Sequence, residues 1–358
     1  MHFHLTEEQQ AIQDAVRGTL ADSWPMERIH AFAEGDEDFD RASWDALMAL
    51  GLGGMLAPDS GMGLLDAALV CEVAGEAAAA GPLIGQLLAV AAVAASSHDY
   101  LRNPFPGESR GPEGKDDLAK WAPAFAGEQS VLAALASGET VATLLHGGSD
   151  YAPSARAADL FLIVDRAKGV RLVPAADATV EAVKAADRTR PMSKVAIAED
   201  AGETLFAAAD PMTARLADAA LVLVAADALG GAQKVTDMSV AYAKEREQFG
   251  QPIGRFQALK HQLAHMALAV EPARALVWYA AYAWDAGLPD ASRAAAMAKA
   301  HLCDTYVQTT RAAVAAHGGI GYTWEYGLNY WFRRAMADRA WLGSPAEHRA
   351  RAATLAGW

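Results

Sequence analysis

YAKEREQFGQPIGRFQALKHQLAHM, from Tyr242 to Met266, reads as two helices joined by a purposeful break. Ala241 to Gln248 is built of good helix formers. Gly250 and Pro252 then interrupt the pattern, because proline lacks an N–H and glycine accepts a positive φ. Beyond them Phe256, Leu259, Leu263 and Met266 recur at helical spacing, so a second helix turns one face inward. Arg246, Gln248 and Phe249 are thereby crowded at a helix end. A guanidinium fork, an amide and an aromatic ring in that position suit an anionic, planar ligand. A capped helical hairpin, with Arg246 paired across solvent to Glu245 or Glu247, would use the same residues for structure alone.

Outward from this stretch the chain is helical in pattern, with one interruption. Thr6 and Gln9 form a capping box opening a helix that runs to about Ala21, and a second helix spans Ala42 to Leu50, ending at Gly51. Further helices run through the alanine-rich region to about His98. Arg102 to Asp117 is rich in proline, glycine and charge and predicts a surface loop or linker. From about Ser130 to Glu199 the runs VATLL, DLFLIV, VRLVP and KVAIA are short, apolar and partly β-branched, separated by turn residues. After Pro211 the helical period returns and holds to the C-terminus. This order predicts an α+β fold, mainly α, or separate domains, rather than βαβ winding. The expected divisions are a helical N-terminal domain over 1–129, a β domain over 130–204 and a helical C-terminal domain over 205–358.

The 358 residues are enough for sizeable cores. Thirty basic against 44 acidic side chains give a net charge of -14, which argues against nucleic acid or an anionic membrane as the main partner. Any anionic ligand must then be met by local basic groups. Cys71 and Cys303 lie in apolar helical surroundings, so free buried thiols and a reducing cytoplasm are expected. The start, MHFHLTEEQQ, lacks the pattern of a signal peptide. Ala77 to Ser97 carries no charge and raises the question of a membrane span. It is dominated by alanine, broken at Gly81-Pro82 and interrupted by Gln86, so buried helices of a soluble domain explain it better.

The words R-x-Q-F-G-x-P-I-x-x-F-Q at Arg246 to Gln257 and HGGIGYTWE at His317 to Glu325 together resemble the acyl-CoA dehydrogenase family of flavoenzymes. LTEEQQAIQDAVRG and CEVAGEAAAAGPL extend the resemblance through the N-terminal half. It implies a helical N-domain, a middle β domain and a C-terminal four-helix bundle. It also implies FAD held between the last two and partly covered by a neighbouring subunit. The implied reaction is α,β-dehydrogenation of an acyl-CoA, with electron-transferring flavoprotein as acceptor. In that chemistry a carboxylate removes the poorly acidic α-proton while the β-hydrogen leaves as hydride to the flavin. By position, the resemblance assigns Arg246, Gln248, Phe249 and Gln257 to the ADP half of FAD, typically across a subunit interface. It assigns Gly318 and Gly319 to a helix-end turn that the pyrophosphate approaches closely. A tight interhelical turn would use the same glycines, and Tyr322, Trp324 and Tyr326 would serve equally as core aromatics.

Departures from the family pattern decide what kind of member is expected. Ala315 stands where a glutamine is usual. The β-domain word T-E-P-x-x-G-S-D is absent, with only a faint echo in GGSD at Gly147 to Asp150, and the β domain is abbreviated. The family's spacing to its usual base, counted from Glu325, lands on Leu342; a minority's spacing, counted back from Arg246, lands on Ala220. Neither side chain can accept a proton. Three readings follow. The chain is one subunit of a heteromeric α2β2 enzyme, a type often acting on steroid side-chain thioesters, and its Arg246 face completes the FAD site of a partner that carries the base. Alternatively it is a homotetrameric enzyme with a relocated carboxylate, for which Asp218, Asp338 and Glu347 are candidates, each otherwise a solvated helix-face charge. Or it is a binding or assembly member that has lost FAD chemistry. The first explains why the ADP-side words survive while the flavin-ring and base positions have decayed. His261 and His265, at i and i+4, could pair on a metal but lack a third ligand, and His2 and His4 fall in a frayed terminus.

Overall fold

The structure, a computed structural model, describes residues 4–97 and 131–358; the expected linker at 102–117 and His2 lie outside the described residues. Helix α1 (Glu7–Ser23) opens with the foreseen capping box, in which the Thr6 hydroxyl accepts from Gln9 N–H and the Gln9 side chain accepts from Thr6 N–H. Helix α2 (Met26–Glu34) was not expected from the sequence, although Ile29, Phe32 and Ala33 are buried at helical spacing behind Pro25. It is too short for its period to stand out between turn-rich flanks. Helix α3 (Arg41–Met48) is capped by Asp40, whose carboxylate accepts from Ser43 N–H.

Helices α4 (Leu64–Glu76) and α5 (Leu83–Ser97) lie in the interior. Gln86 explains the polar interruption of α5: its amide donates to the Leu135 and Thr140 carbonyls at 2.6 and 2.8 Å and accepts from Ala142 N–H at 2.7 Å. A buried amide with its partners satisfied ties α5 to the sheet at no net penalty. Among the described residues no helix is long and apolar enough to cross a membrane.

After α6 (Val131–Ser137) come β1 (Ala142–His146), β2 (Tyr151–Pro153), β3 (Leu160–Asp165), β4 (Gly169–Pro174), β5 (Ala178–Ala182), β6 (Met192–Ile197) and β7 (Glu203–Phe206). One sheet has the order β1-β3-β4-β7, with β1 and β3 parallel (Leu144 opposite Leu162) and the other pairs antiparallel. The second, β2-β6-β5, is antiparallel. The four apolar runs of the sequence became β1, β3, β4 and β6; β2 is only three residues and β5 is largely exposed, so neither carries a readable pattern.

Helix α7 (Pro211–Glu245) starts at Asp210, whose carboxylate accepts from Met212 N–H. It packs against α4, α8 (Gln257–Asp285) and α9 (Ala291–His317), and α10 (Leu328–Ala340) and α11 (Pro345–Leu355) complete the helical C-terminal part. Glycines set the crossing of α4 and α7: a Cβ at Gly230 would lie 1.8 Å from the Glu72 carbonyl oxygen, and one at Gly75 2.1 Å from that of Asp227. The result is the expected mainly helical α+β fold, with N-terminal helices, central sheets and C-terminal helices.

Candidate functional site

Helix α7 ends at Glu245, three residues earlier than its run of helix formers to Gln248 suggests. Arg246 N–H still donates to the Tyr242 carbonyl at 2.8 Å, but Arg246 itself is extended. Glu247–Gln248 and Gln251–Pro252 then pair as β8 and β9, a hairpin whose loop residues Phe249 and Gly250 both have positive φ, 54° and 75°. Such a two-residue loop matches the twist of the strands it joins. Phe249 is 91 % exposed, touching the chain edge-on through Phe256 at 6.0 Å. Arg246 and Gln248 are exposed too, and Arg246 forms no ion pair with Glu245 or Glu247. The hairpin therefore turns Arg246 and Phe249 outward, while the Gln248 amide donates to the Glu247 carbonyl at 2.8 Å. Gln257 opens α8 with its amide 2.9 Å from His261 Nε2.

The second sequence word lies against the first. Tyr242 stacks on His317, with ring centroids 4.5 Å apart and an interplanar angle of 24°. His317 Nδ1 is 2.7 Å from the Ala313 carbonyl and must donate to it, leaving Nε2 to accept from the Tyr326 hydroxyl at 3.0 Å. Burial lowers the His317 pKa, in keeping with a neutral ring. Gly318 follows at φ 65° and ψ -140°, a region essentially reserved for glycine. A Cβ on either Gly318 or Gly319 would meet nothing within 4 Å, so their backbone faces open space. Tyr322 and Trp324 are 77 % and 40 % exposed, which removes them from the core; Tyr326 is partly buried. Trp324 is flanked by the guanidiniums of Arg333 and Arg188 at 4.8 and 5.8 Å.

Ala220 and Leu342 line one cavity of about 250 Å³ between the sheet and the helices. Leu144, Val164, Ala217 and Leu221 extend its apolar wall, while His146, Arg166, Glu347, His348 and Arg351 supply a polar one. The turn carrying Leu342 is held tightly. Leu342 has a φ of 62°, the fully buried Lys299 ammonium donates to the Asp338 and Gly343 carbonyls at 2.8 and 3.2 Å, and His348 Nε2 lies 2.8 Å from the Leu342 carbonyl. Burial, helped by Lys299 and Arg351, pushes His348 down to about 4, so it is neutral near pH 7.

The candidate carboxylates are otherwise engaged. Asp218 is buried and accepts from Arg166 at 2.6 Å, Arg351 at 2.8 Å and the Ser292 hydroxyl at 2.5 Å. Asp338 is fully buried beside Arg190 and belongs to an ionic cluster in which Arg334 grips Asp227 through two bonds of 3.0 and 2.6 Å. Both are thus paired interior groups, not the solvated helix-face charges that the sequence offered as the alternative to a base. Burial pushes Asp338 up to about 8. Glu347 does line the cavity, but its carboxylate closes a capping box on Ser344, accepting from Ser344 N–H at 2.6 Å, and these bonds lower its pKa. Gly147 to Asp150 form the turn between β1 and β2. His146, Arg166, His348 and Arg351 escaped the sequence reading because none sits inside a recognisable word. His261 and His265 are exposed, and among the described residues no three metal-ligating side chains cluster. Cys71 and Cys303 are buried and unbridged, with burial raising both thiols.

Comparison with known proteins places this geometry. The profile described as "Acyl-CoA dehydrogenase, N-terminal domain" matches residues 6–101, and "Acyl-CoA dehydrogenase, C-terminal domain" matches residues 212–354. The acyl-CoA dehydrogenase IpdE2 of Mycobacterium tuberculosis is 30% identical over 348 residues, covering 95% of each chain. Its counterpart in Mycolicibacterium smegmatis is 29% identical over 96% of this chain and 97% of its own. The fold is similar to that of a variant of the Tcur3481-Tcur3483 steroid ACAD (TM-score 0.80, 23% identity, 98% of both chains). It is also similar to the ChsE4-ChsE5 complex from Mycobacterium tuberculosis (TM-score 0.79, 21% identity, 99% of this chain and 98% of that one). Full-length similarity, both domain profiles and the shared fold agree: the chain belongs to the acyl-CoA dehydrogenase family, FAD-dependent oxidoreductases acting on CH–CH groups.

Proposed function

We propose that this chain is one subunit of a heteromeric acyl-CoA dehydrogenase whose partner subunit supplies the catalytic base. The observation that carries the proposal is the cavity itself: the two positions from which family members present their carboxylate, Ala220 and Leu342, both face it, and both are apolar. The cavity's remaining carboxylate, that of Glu347, is tied into a helix cap.

The residues present fit the ADP half of FAD better than its ring. Arg246, Gln248 and Phe249 stand exposed at a short hairpin, Gln257 opens the next helix, and the bare backbone of Gly318 and Gly319 faces open space. These groups would hold a diphosphate and an adenine approaching from outside the chain, which suits a site shared with a second subunit. When bound, FAD supplies the acceptor for the hydride in dehydrogenation of the acyl thioester. This chain's own part is to bind and orient that cofactor. The likeness in fold to the ChsE4-ChsE5 complex, and to a steroid ACAD described by two components, supports an assembly with a homologous partner.

The flavin absorbance spectrum tests the proposal, taken on the chain alone and on the chain co-purified with a homologous, base-carrying partner. The expected result is a colourless lone chain and a complex holding about one FAD per two chains, bleached by an acyl-CoA. A lone chain that is yellow, holds stoichiometric FAD and is itself bleached by an acyl-CoA would overturn it.

A further inference from the structure

The cavity keeps a feature that dehydrogenation chemistry does not require. Two guanidiniums, Arg166 after β3 and Arg351 on α11, converge on the single carboxylate of Asp218, 2.6 and 2.8 Å away. Asp218 is only 4 % exposed in its side chain, whereas Arg166 and Arg351 keep 35 % and 23 % and line the cavity directly. Each guanidinium has five N–H donors, and the Asp218 carboxylate and, for Arg351, the Ser292 carbonyl engage only part of this set. Lys299, buried behind the cavity wall, donates to the Gly343 carbonyl. Glu347 is held in its helix cap, and Asp165, next to Arg166, is a further acid acting on His146. Burial is the largest cause that depresses both cavity histidines; Arg166 and Lys299 act the same way on His146, and Lys299 and Arg351 on His348, while Asp165 and Glu347 act against them. In a chain of net charge -14, two partly exposed guanidiniums facing one cavity are a local concentration of positive charge.

We infer that this cavity binds a short acyl thioester bearing a second, free carboxylate, read by Arg166 and Arg351, and holds it without oxidising it. The inference rests on the proposed assignment of the base to the partner subunit. The apolar wall formed by Leu144, Val164, Ala220 and Leu342 covers the methylene chain, and the forked guanidiniums suit a carboxylate because each can donate two parallel bonds. With alanine and leucine at the base positions, the α-proton of such a ligand stays in place. Arg166 and Arg351 are then specificity-determining residues.

The test compares glutaryl-CoA with pentanoyl-CoA, equal in carbon count and different only in the terminal carboxylate, by isothermal titration of the full chain alone and in complex with its partner. Glutaryl-CoA should bind roughly tenfold or more tightly, the difference that one charge-assisted contact supplies. R166Q and R351Q should each abolish that preference, read as the ratio of the two affinities on the same variant. D218N separates recognition from scaffolding: it frees both guanidiniums, so the preference should persist or grow. Equal affinity for the two probes in the wild type, or loss of the preference in D218N with the fold intact by circular dichroism, would overturn the inference. FAD stoichiometry is read separately, so each claim fails on its own. A colourless lone chain without the carboxylate preference sinks only this inference. A preference in a chain that holds its own FAD and oxidises glutaryl-CoA sinks the assignment of the base to the partner, and with it the non-oxidising role.

Discussion

Ala220 on α7 and Leu342 in the turn before α11 converge on the same cavity, so the two positions at which the family resemblance seeks a base are both apolar. On the proposed reading, neither of the two usual carboxylates reaches the acyl α-carbon from this chain. L342E restores a carboxylate to the commoner position. A positioned base contributes about 10²–10⁴-fold, so an enzyme reacting in this cavity should respond by orders of magnitude. If the chemistry belongs to the partner, the rate of acyl-CoA-dependent flavin bleaching per bound FAD should change by less than about twofold, too little for a base gained at the reacting carbon. Stopped-flow absorbance on the purified complex decides between them.

The hairpin offers a variant that separates binding from folding. Phe249 is exposed and sits at φ 54°, a conformation that costs a non-glycine residue about 1–2 kcal/mol. F249G should leave the thermal midpoint of the lone chain unchanged or slightly higher, since strain is relieved and little apolar burial is lost. The complex should nonetheless release FAD more readily, measured as flavin lost on gel filtration. Unchanged FAD retention would remove Phe249 from the cofactor contacts.

Much of this was readable beforehand, and the division has a physical basis. The capping box at Thr6, the four central apolar strands and a break at Gly250 and Pro252 are local signals, set by neighbours a few residues apart, though the helix before the break stops at Glu245 and not at Gln248. The stacking of Tyr242 on His317 was implied only by two words occurring in order, because nothing local to either ring names its partner. The polar wall of the cavity was invisible. Arg166 and Arg351 come from the strand β3 turn and the last helix, and they meet only because Asp218 on α7 lies between them. The sequence reading also sought a base among carboxylates as though each were solvated. Burial and pairing of Asp218 and Asp338 are tertiary facts that no periodicity reports.

The ionic cluster makes an asymmetric prediction about two aspartates. Asp227 accepts from Arg334 and Arg190, which hold its carboxyl well below the usual range despite burial, whereas burial pushes Asp338 up to about 8. Burial thus opposes charge on Asp338 more than the neighbouring guanidiniums favour it, the reverse of Asp227. D338N replaces the acid whose charge burial opposes with a near isostere and should cost no more than about 1–1.5 kcal/mol. D227N leaves Arg334 and Arg190 short of a counter-charge in the interior and should cost about 3–5 kcal/mol. Urea unfolding of the two variants at neutral pH measures the contrast; equal losses would show that the charge is shared evenly.

The close crossing of α4 and α7 predicts a larger effect from a smaller change. With the Glu72 carbonyl oxygen 1.8 Å from where a Cβ would sit, G230A cannot be absorbed by rotating a side chain, because the obstacle is backbone. The helices must separate, and buried side chains along both lose contact. The expected loss is at least about 3 kcal/mol, seen as a fall in thermal midpoint or as insoluble protein. G250A is a contrast at an exposed glycine: it meets no neighbour but forces alanine to φ 75°, so its cost should stay near 1–2 kcal/mol. Similar losses for both would mean that packing at the crossing is softer than its geometry indicates.

Acid sensitivity should trace to buried histidines. His146, His317 and His348 all have pKa values below the ordinary 6.5, His348 at about 4, with desolvation the largest cause in each. Below pH 6.5 the unfolded chain takes up protons that the folded chain refuses. Stability contributed by these groups is therefore present above 6.5 and lost as pH falls through their folded values. Lys299 and Arg351 face His348 and oppose its protonation, while Glu347 favours it only weakly. H348Q keeps an N–H donor for the Leu342 carbonyl but cannot titrate. Its thermal midpoint should fall less between pH 7 and pH 4.5 than that of the wild type, while the two proteins stay close at pH 7. A wild-type-like fall in H348Q would assign the acid lability to the other two histidines.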